Sequence, residues 1–255
     1  MPKKIKIPLI LFALILLIMA ILLFPFLRGE KLYIKDFPLK EGKAIVISDL
    51  HLENNPRDLE CIGNYIDSNN ISTVIFNGDL FDRKHKEKFD EKLIKEAKKK
   101  LGIKDKKLKD IILILALYGH DPYLEGDKKE VLVSGENFNT LIIEGGLKLQ
   151  ADDETFYIAH GDFATTSTGV AGMSLINKIT SGLYYEKFAK KVADIEDDDW
   201  LLLGHSHIFG IDYKNKVANS GCWIKRIVSN TDTIILIENT RKKNPKISLI
   251  KIPCE

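Results

Sequence analysis

Three short apolar runs, each closing on an acid or a histidine, constrain this chain more than any other feature. They are Ala44-Ile45-Val46-Ile47 before Ser48-Asp49, Thr73-Val74-Ile75-Phe76 before Asn77-Gly78-Asp79, and 111–117 before Gly119-His120-Asp121. Runs this short, with no polar alternation, are covered on both faces, as in the central strands of an α/β sheet. Between the first two, Leu59, Ile62, Gly63 and Ile66 recur at helical spacing over 56–69, and Pro56 suits a first turn. A charge-rich helix is predicted over 87–101. Further strands are predicted at 130–134, 141–144, 155–159, 200–203, 209–213, 216–219, 233–238 and 246–252, interrupted by a helical stretch at 171–193. The fold class is α/β and layered, starting βαβ and finishing with mostly antiparallel strands, in one domain over 43–255.

The N-terminal end is different. Residues 7–27 (IPLILFALILLIMAILLFPFL) form 21 consecutive uncharged, almost wholly apolar positions. As a helix they would span about 30 Å, the thickness of a bilayer's hydrocarbon core. A secretory signal peptide would have a shorter apolar region and a small-x-small cleavage site, whereas Ile-Leu-Leu-Phe-Pro-Phe-Leu follows Ala20. The expectation is an uncleaved single-pass anchor over 1–27, a tether over 28–42, and location at the cell membrane. Lys3, Lys4 and Lys6 precede the helix, so the positive-inside rule favours a catalytic domain outside the cytoplasm; the charge difference is small and leaves the opposite orientation open.

The whole chain of 255 residues carries 38 basic and 36 acidic side chains, which makes no global case for nucleic-acid binding. Residues 83–109 hold thirteen basic residues against five acidic ones, read as a solvated helix face or as a patch for anionic lipid or an acidic substrate. Cys61, Cys222 and Cys254 are too few for a disulfide framework or a cysteine-based zinc site, and core packing is their default role. The sequence leaves the oligomeric state open.

Five of the six histidines, His51, His120, His160, His205 and His207, fall at or just past predicted strand ends, beside Gly, Asp or another His. Strand ends in α/β folds present side chains into a common crevice. Asp49-x-His51 points a carboxylate and an imidazole the same way on an extended backbone. Asp79 offers two oxygens for two ions, with Gly78 allowing close approach. A donor set of imidazole and carboxylate without thiolate suits Mn²⁺, Fe²⁺ or Zn²⁺. His85 and Ser206 read as bystanders, and Asp162 as a brace for the His160 loop.

In this order, Asp49-x-His51, Gly78-Asp79, Gly119-His120-Asp121, His160 and Gly204-His205-Ser206-His207 resemble the calcineurin-like metallophosphoesterase superfamily over about residues 43–225. Ser48-Asp49-Leu50-His51-Leu52 and His160-Gly161-Asp162, followed by a helical stretch, look most like the UDP-2,3-diacylglucosamine hydrolase branch. The resemblance implies the metallophosphoesterase fold, a layered β-sandwich flanked by helices, and two divalent ions, Mn²⁺ first among them. Asp49, His51 and His207 would hold the first ion, His160 and His205 the second, and Asp79 would bridge them. His120, oriented by Asp121, would donate a hydrogen bond or proton to the phosphoryl or leaving oxygen. The implied reaction is hydrolysis of a phosphomonoester, phosphodiester or pyrophosphate bond in a small-molecule or lipid substrate. One departure matters: the family has Asn where this chain has Gly119, so the second ion lacks a ligand unless Asn77 or Asn54 substitutes. That keeps open a catalytically degenerate protein that binds metal or a phosphorylated ligand as a scaffold.

Overall fold

The computed structural model describes residues 31–82, 87–104, 108–135, 138–165, 177, 182–224, 231–240 and 245–254. Its strands are β1 (Ile34–Pro38), β2 (Gly42–Ile47), β3 (Thr73–Asn77), β4 (Asp110–Leu115), β5 (Glu130–Ser134), β6 (Asn139–Glu144), β7 (Gly146–Ala151), β8 (Glu154–Ala159), β9 (Trp200–Leu203), β10 (Gly210–Asp212), β11 (Val217–Asn219), β12 (Thr233–Asn239) and β13 (Lys246–Lys251). The described helices are α1 (Glu60–Asn69), α2 (Glu91–Lys100) and α3 (Tyr184–Val192).

The strands form two sheets, a seven-stranded one ordered β13-β12-β2-β3-β4-β6-β5 and a six-stranded one ordered β1-β7-β8-β9-β11-β10. The apolar runs at β2, β3 and β4 lie side by side in parallel. Their side chains alternate between two interiors, which explains why no polar period exists. Ala44, Val46, Ile75, Ile112 and Ile114 face the second sheet, against Leu147, Leu149, Phe156, Ile158 and Leu202. Ile45, Ile47, Val74, Phe76 and Leu113 face outward onto Ile62 and Ile66 of α1 and Leu93, Ile94 and Ala97 of α2. A smaller cluster packs Tyr185 and Ala189 of α3 against Leu201, Leu203 and Val217. Burying one such Leu or Ile contributes about 1.5–3 kcal/mol, so this layering dominates the stability of the fold.

Three expectations change. The stretch read as a tether contains β1, which pairs in parallel with β7, so the folded unit includes residues ahead of 43. The helix expected from residue 87 begins at Glu91, because Asp90 caps it by accepting from the Lys92 N–H at 2.9 Å. Cys61 on α1 and Cys254 after β13 form a disulfide with Cα atoms 5.6 Å apart, joining positions 193 residues apart, while Cys222 is free and buried. Residues 7–27, His85, 171–176 and 178–181 lie outside the described residues. Among the described residues, no helix is long and apolar enough to cross a membrane.

Candidate metal centre

The ends of β2, β3 and β4 in one sheet and of β8 and β9 in the other converge on a single cluster. Asp49 and His51 leave β2, Asp79 leaves β3, His120 follows β4, His160 follows β8, and His205 and His207 follow β9. Asp49, His51, Asp79, His205 and His207 all take positive φ, between 48° and 66°. Such backbone is costly for a residue with a Cβ, and Asp and His tolerate it better than most. Five such residues on three turns in one cluster show loops bent to aim side chains inward.

His207 Nε2 lies 3.0 Å from Asp49 Oδ1, and Asp49 Oδ2 accepts the His205 N–H at 3.0 Å. Asp79 Oδ2 stands between two rings, 3.7 Å from His51 Nε2 and 3.5 Å from His160 Nε2. Its other oxygen, Oδ1, accepts the His120 N–H at 2.7 Å. Asp49, His51 and His207 form one group of donor atoms with metal-binding spacing, and Asp49, Asp79 and His160 form another. The His160 and His205 rings lie 5.0 Å apart.

The Nε2 atoms of His51, His160 and His205 are buried without a hydrogen-bond partner. Leaving buried polar atoms unsatisfied costs on the order of 1–3 kcal/mol each. In two of the three the opposite ring nitrogen is occupied: His160 Nδ1 meets the Asn77 carbonyl at 3.0 Å, and His51 Nδ1 meets Asp82 Oδ1 at 3.0 Å. Fixing Nδ1 in this way leaves Nε2 to bind a cation. The donor set therefore fits divalent metal.

Electrostatics agree. Burial opposes ionisation of Asp49, but His207 and His160 outweigh it and hold the carboxyl down at about 2. Burial also opposes charge on His207, and Asp49 overrides it, pushing the ring up to about 10. Asp79 is held below the usual carboxylate range by His160, His51 and His120 against its own burial. His205, by contrast, is lowered to about 3 by burial and by the neighbouring His160. A raised folded value means that the His207 contribution to the metal-free fold is fully present below its ordinary 6.5 and lost as pH rises through about 10. The depressed Asp49 contributes above its ordinary 3.8 and loses that contribution as pH falls through about 2. An ion entering the first site must displace the His207 proton. Calorimetry in buffers of different ionisation enthalpy should show about one proton released per ion at pH 7–8, with affinity rising about tenfold per pH unit.

One acid differs from expectation in what it holds. Asp121 is buried, and its carboxylate accepts backbone N–H groups from Asp79 at 2.8 Å, Ala116 at 2.9 Å and Phe81 at 3.0 Å. It ties the turn after β3 to the end of β4; burial and the Asp79 charge push it up to about 7. The carboxylate beside the His120 ring is Asp82, with Oδ1 3.4 Å from His120 Nδ1. Sequence reasoning missed Asp82, although its place three residues after Asp79 on the same turn was a usable signal. Asp162 accepts the Tyr118 N–H at 2.5 Å, linking the His160 loop to the His120 loop.

Glycines set the closeness of this packing. A Cβ on Gly78, whose φ is +74°, would stand 2.3 Å from His160 Cγ. Gly78→Ala should lower stability by about 1–3 kcal/mol and reduce bound metal, read by thermal melting and metal analysis. At Gly119 a Cβ would meet Asp79 Oδ1 at 2.2 Å, so the carboxylate occupies the space an asparagine stem would need. Of the two suggested substitutes, Asn54 is exposed. Asn77 is buried; its Nδ2 donates to the Ala159 carbonyl at 3.0 Å, and its Oδ1 has no hydrogen-bond partner.

Residues 42–226 match the family of calcineurin-like phosphoesterases. The chain belongs to that family. It is accordingly a hydrolase acting on phosphoester bonds, built on the α/β metallophosphoesterase fold and carrying the family's divalent-metal chemistry. Similar solved structures include Yfce, a phosphoesterase from E. coli, at 11% identity over 83% of this chain and 100% of that one, TM-score 0.40. A novel archaeal phosphodiesterase shows 18% identity over 82% and 99%, TM-score 0.35. A Streptococcus pneumoniae TIGR4 protein, a predicted phosphoesterase, shows 13% identity over 85% and 93%, TM-score 0.39. At these values, membership rests on the family match. None of the curated proteins matches the chain at a significant level.

Proposed function

We propose that this phosphoesterase is anchored in the membrane by residues 7–27 and uses two divalent ions, Mn²⁺ first among them, to hydrolyse a phosphomonoester, phosphodiester or pyrophosphate bond. The observation that carries the metal reading is the convergence of the buried Nε2 atoms of His51 and His160, neither hydrogen-bonded, on Asp79 Oδ2, with Asp49 and His207 in the adjoining donor group. Two bound ions would supply a hydroxide at neutral pH and neutralise charge on phosphorus. Asp49, His51 and His207 would hold the first ion, His160 and His205 the second, and Asp79 would serve both. His120 keeps 27% of its side chain exposed, at the mouth of the cluster, and donates to the phosphoryl or leaving oxygen. Asp82 aims that ring, and Asp121 holds the turns on either side.

The placement outside the cytoplasm is supported by Lys3, Lys4 and Lys6 ahead of the apolar segment and by the Cys61–Cys254 disulfide, a bond typical of oxidising compartments. Full-length protein should resist carbonate extraction from membranes. A truncated soluble form must begin by Lys31 to keep β1 paired with β7. The finer likeness to UDP-2,3-diacylglucosamine hydrolases belongs to this proposal too, and rests on the 48–52 and 160–162 motifs.

Hydrolysis of bis(p-nitrophenyl) phosphate and p-nitrophenyl phosphate with Mn²⁺, before and after chelation, tests the reading. Metal-dependent release of nitrophenol from either ester is expected. Bound metal with no turnover of any phosphoester would favour the degenerate scaffold.

A further inference from the structure

Two adjacent residues at the start of α3 reach both loops that carry the second-ion histidines. Tyr185 is fully buried and donates its hydroxyl to the carbonyl of Gly161, next to His160, at 2.6 Å. Its ring lies 6.3 Å from that of His205. Gly161 takes φ +114°, and a Cβ there would stand 3.0 Å from the Tyr185 hydroxyl, so the contact is closely fitted. Glu186 is also fully buried. Its Oε1 accepts from Ser206 Oγ at 2.7 Å and from Asn219 Nδ2 at 2.9 Å, and its Oε2 accepts from Asn177 Nδ2 at 2.9 Å. Ser206 sits between His205 and His207, and Asn219 Nδ2 reaches on to the Gly204 carbonyl at 2.8 Å.

Three donors thus converge on one buried carboxylate, and none of its partners is a metal ligand. A buried carboxylate is expensive unless hydrogen-bonded, and here two of the three bonds go to the frame around one histidine loop, while the third goes to Asn177, which also accepts the Tyr184 and Tyr185 N–H groups at the start of α3. Its neighbour Tyr185 grips the other loop. We propose that Tyr185 and Glu186 are positioning residues for the second ion, fixing the separation of the His160 and His205 loops on the side where Gly119 offers no ligand. This rests on the two-ion reading above.

The test is a calorimetric Mn²⁺ titration of full-length protein in detergent, with electron paramagnetic resonance to detect a spin-coupled ion pair. Tyr185→Phe removes one hydroxyl; Glu186→Gln keeps the shape but turns an amide donor toward three donors. In each variant the second ion should bind about 10–100-fold more weakly, with the first unchanged, and the coupled signal at two equivalents should give way to that of a single ion. Variants that take both ions as tightly as wild type, or weaken both alike while melting earlier, would overturn the proposal. A wild type that takes only one ion would instead remove the two-ion reading, and the proposal with it. Should Glu186→Gln fail to fold, Tyr185→Phe alone decides the matter.

Discussion

Asp79→Ala should lower phosphoester hydrolysis by on the order of a thousandfold or more, about 4 kcal/mol of transition-state stabilisation, and should lower bound metal with it. The size follows from position. Oδ2 lies between His51 and His160, 3.7 and 3.5 Å away, so one side chain would serve both ions of the proposed pair, while Oδ1 fixes the His120 loop through a 2.7 Å hydrogen bond. Removal leaves each ion short of a ligand and frees the loop that carries the proton donor. The metal-free variant should nevertheless fold, because the two sheets are held by apolar layers remote from this carboxylate. Turnover together with metal analysis checks it; near-normal turnover is the outcome the geometry forbids.

His120→Ala should separate chemistry from metal binding. Its backbone N–H, which holds Asp79, survives the substitution, and two of the three donor groups with metal-binding spacing, Asp49-His51-His207 and Asp49-Asp79-His160, do without its ring; only His51-Asp82-His120 includes it. Metal content should stay near wild type while kcat falls by about 10²–10⁴-fold, the range for loss of a positioned general acid. The loss should be smaller for substrates with a good leaving group such as p-nitrophenolate, which departs without a proton, than for alkyl phosphates. Steady-state kinetics on both classes, beside metal analysis, gives the answer.

Much of the site was legible because its ligands cluster at strand ends, where apolar runs stop abruptly at Asp or His. Asp49, His51, Asp79, His120, His160, His205 and His207 all converge in space, and β5 and β9 match their expected limits residue for residue. The omissions have physical causes. β1 (IKDFP) and β7 (GLKLQA) lack a continuous apolar run: β1 is a partly exposed edge strand, and β7 alternates. Both are stabilised by pairing with each other, a long-range property that no local window contains. Adjacency in sequence gives Asp121 the role of orienting His120 and misses Asp82, whereas the turn after β3 brings Asp82 beside the His120 ring and Asp121 accepts backbone amides. The Cys61–Cys254 pair spans nearly the whole domain, and only the closing of β13 against β12 brings the C-terminal end near α1.

Anomalous diffraction from crystals equilibrated with millimolar Mn²⁺ measures the proposed two-ion centre around Asp79 directly. Two peaks about 3.5–4 Å apart are expected, one among Asp49, His51 and His207 and one beside His160 and His205, with Asp79 between them. A single peak at saturating metal, or two peaks with Asp79 turned away from both, would contradict it.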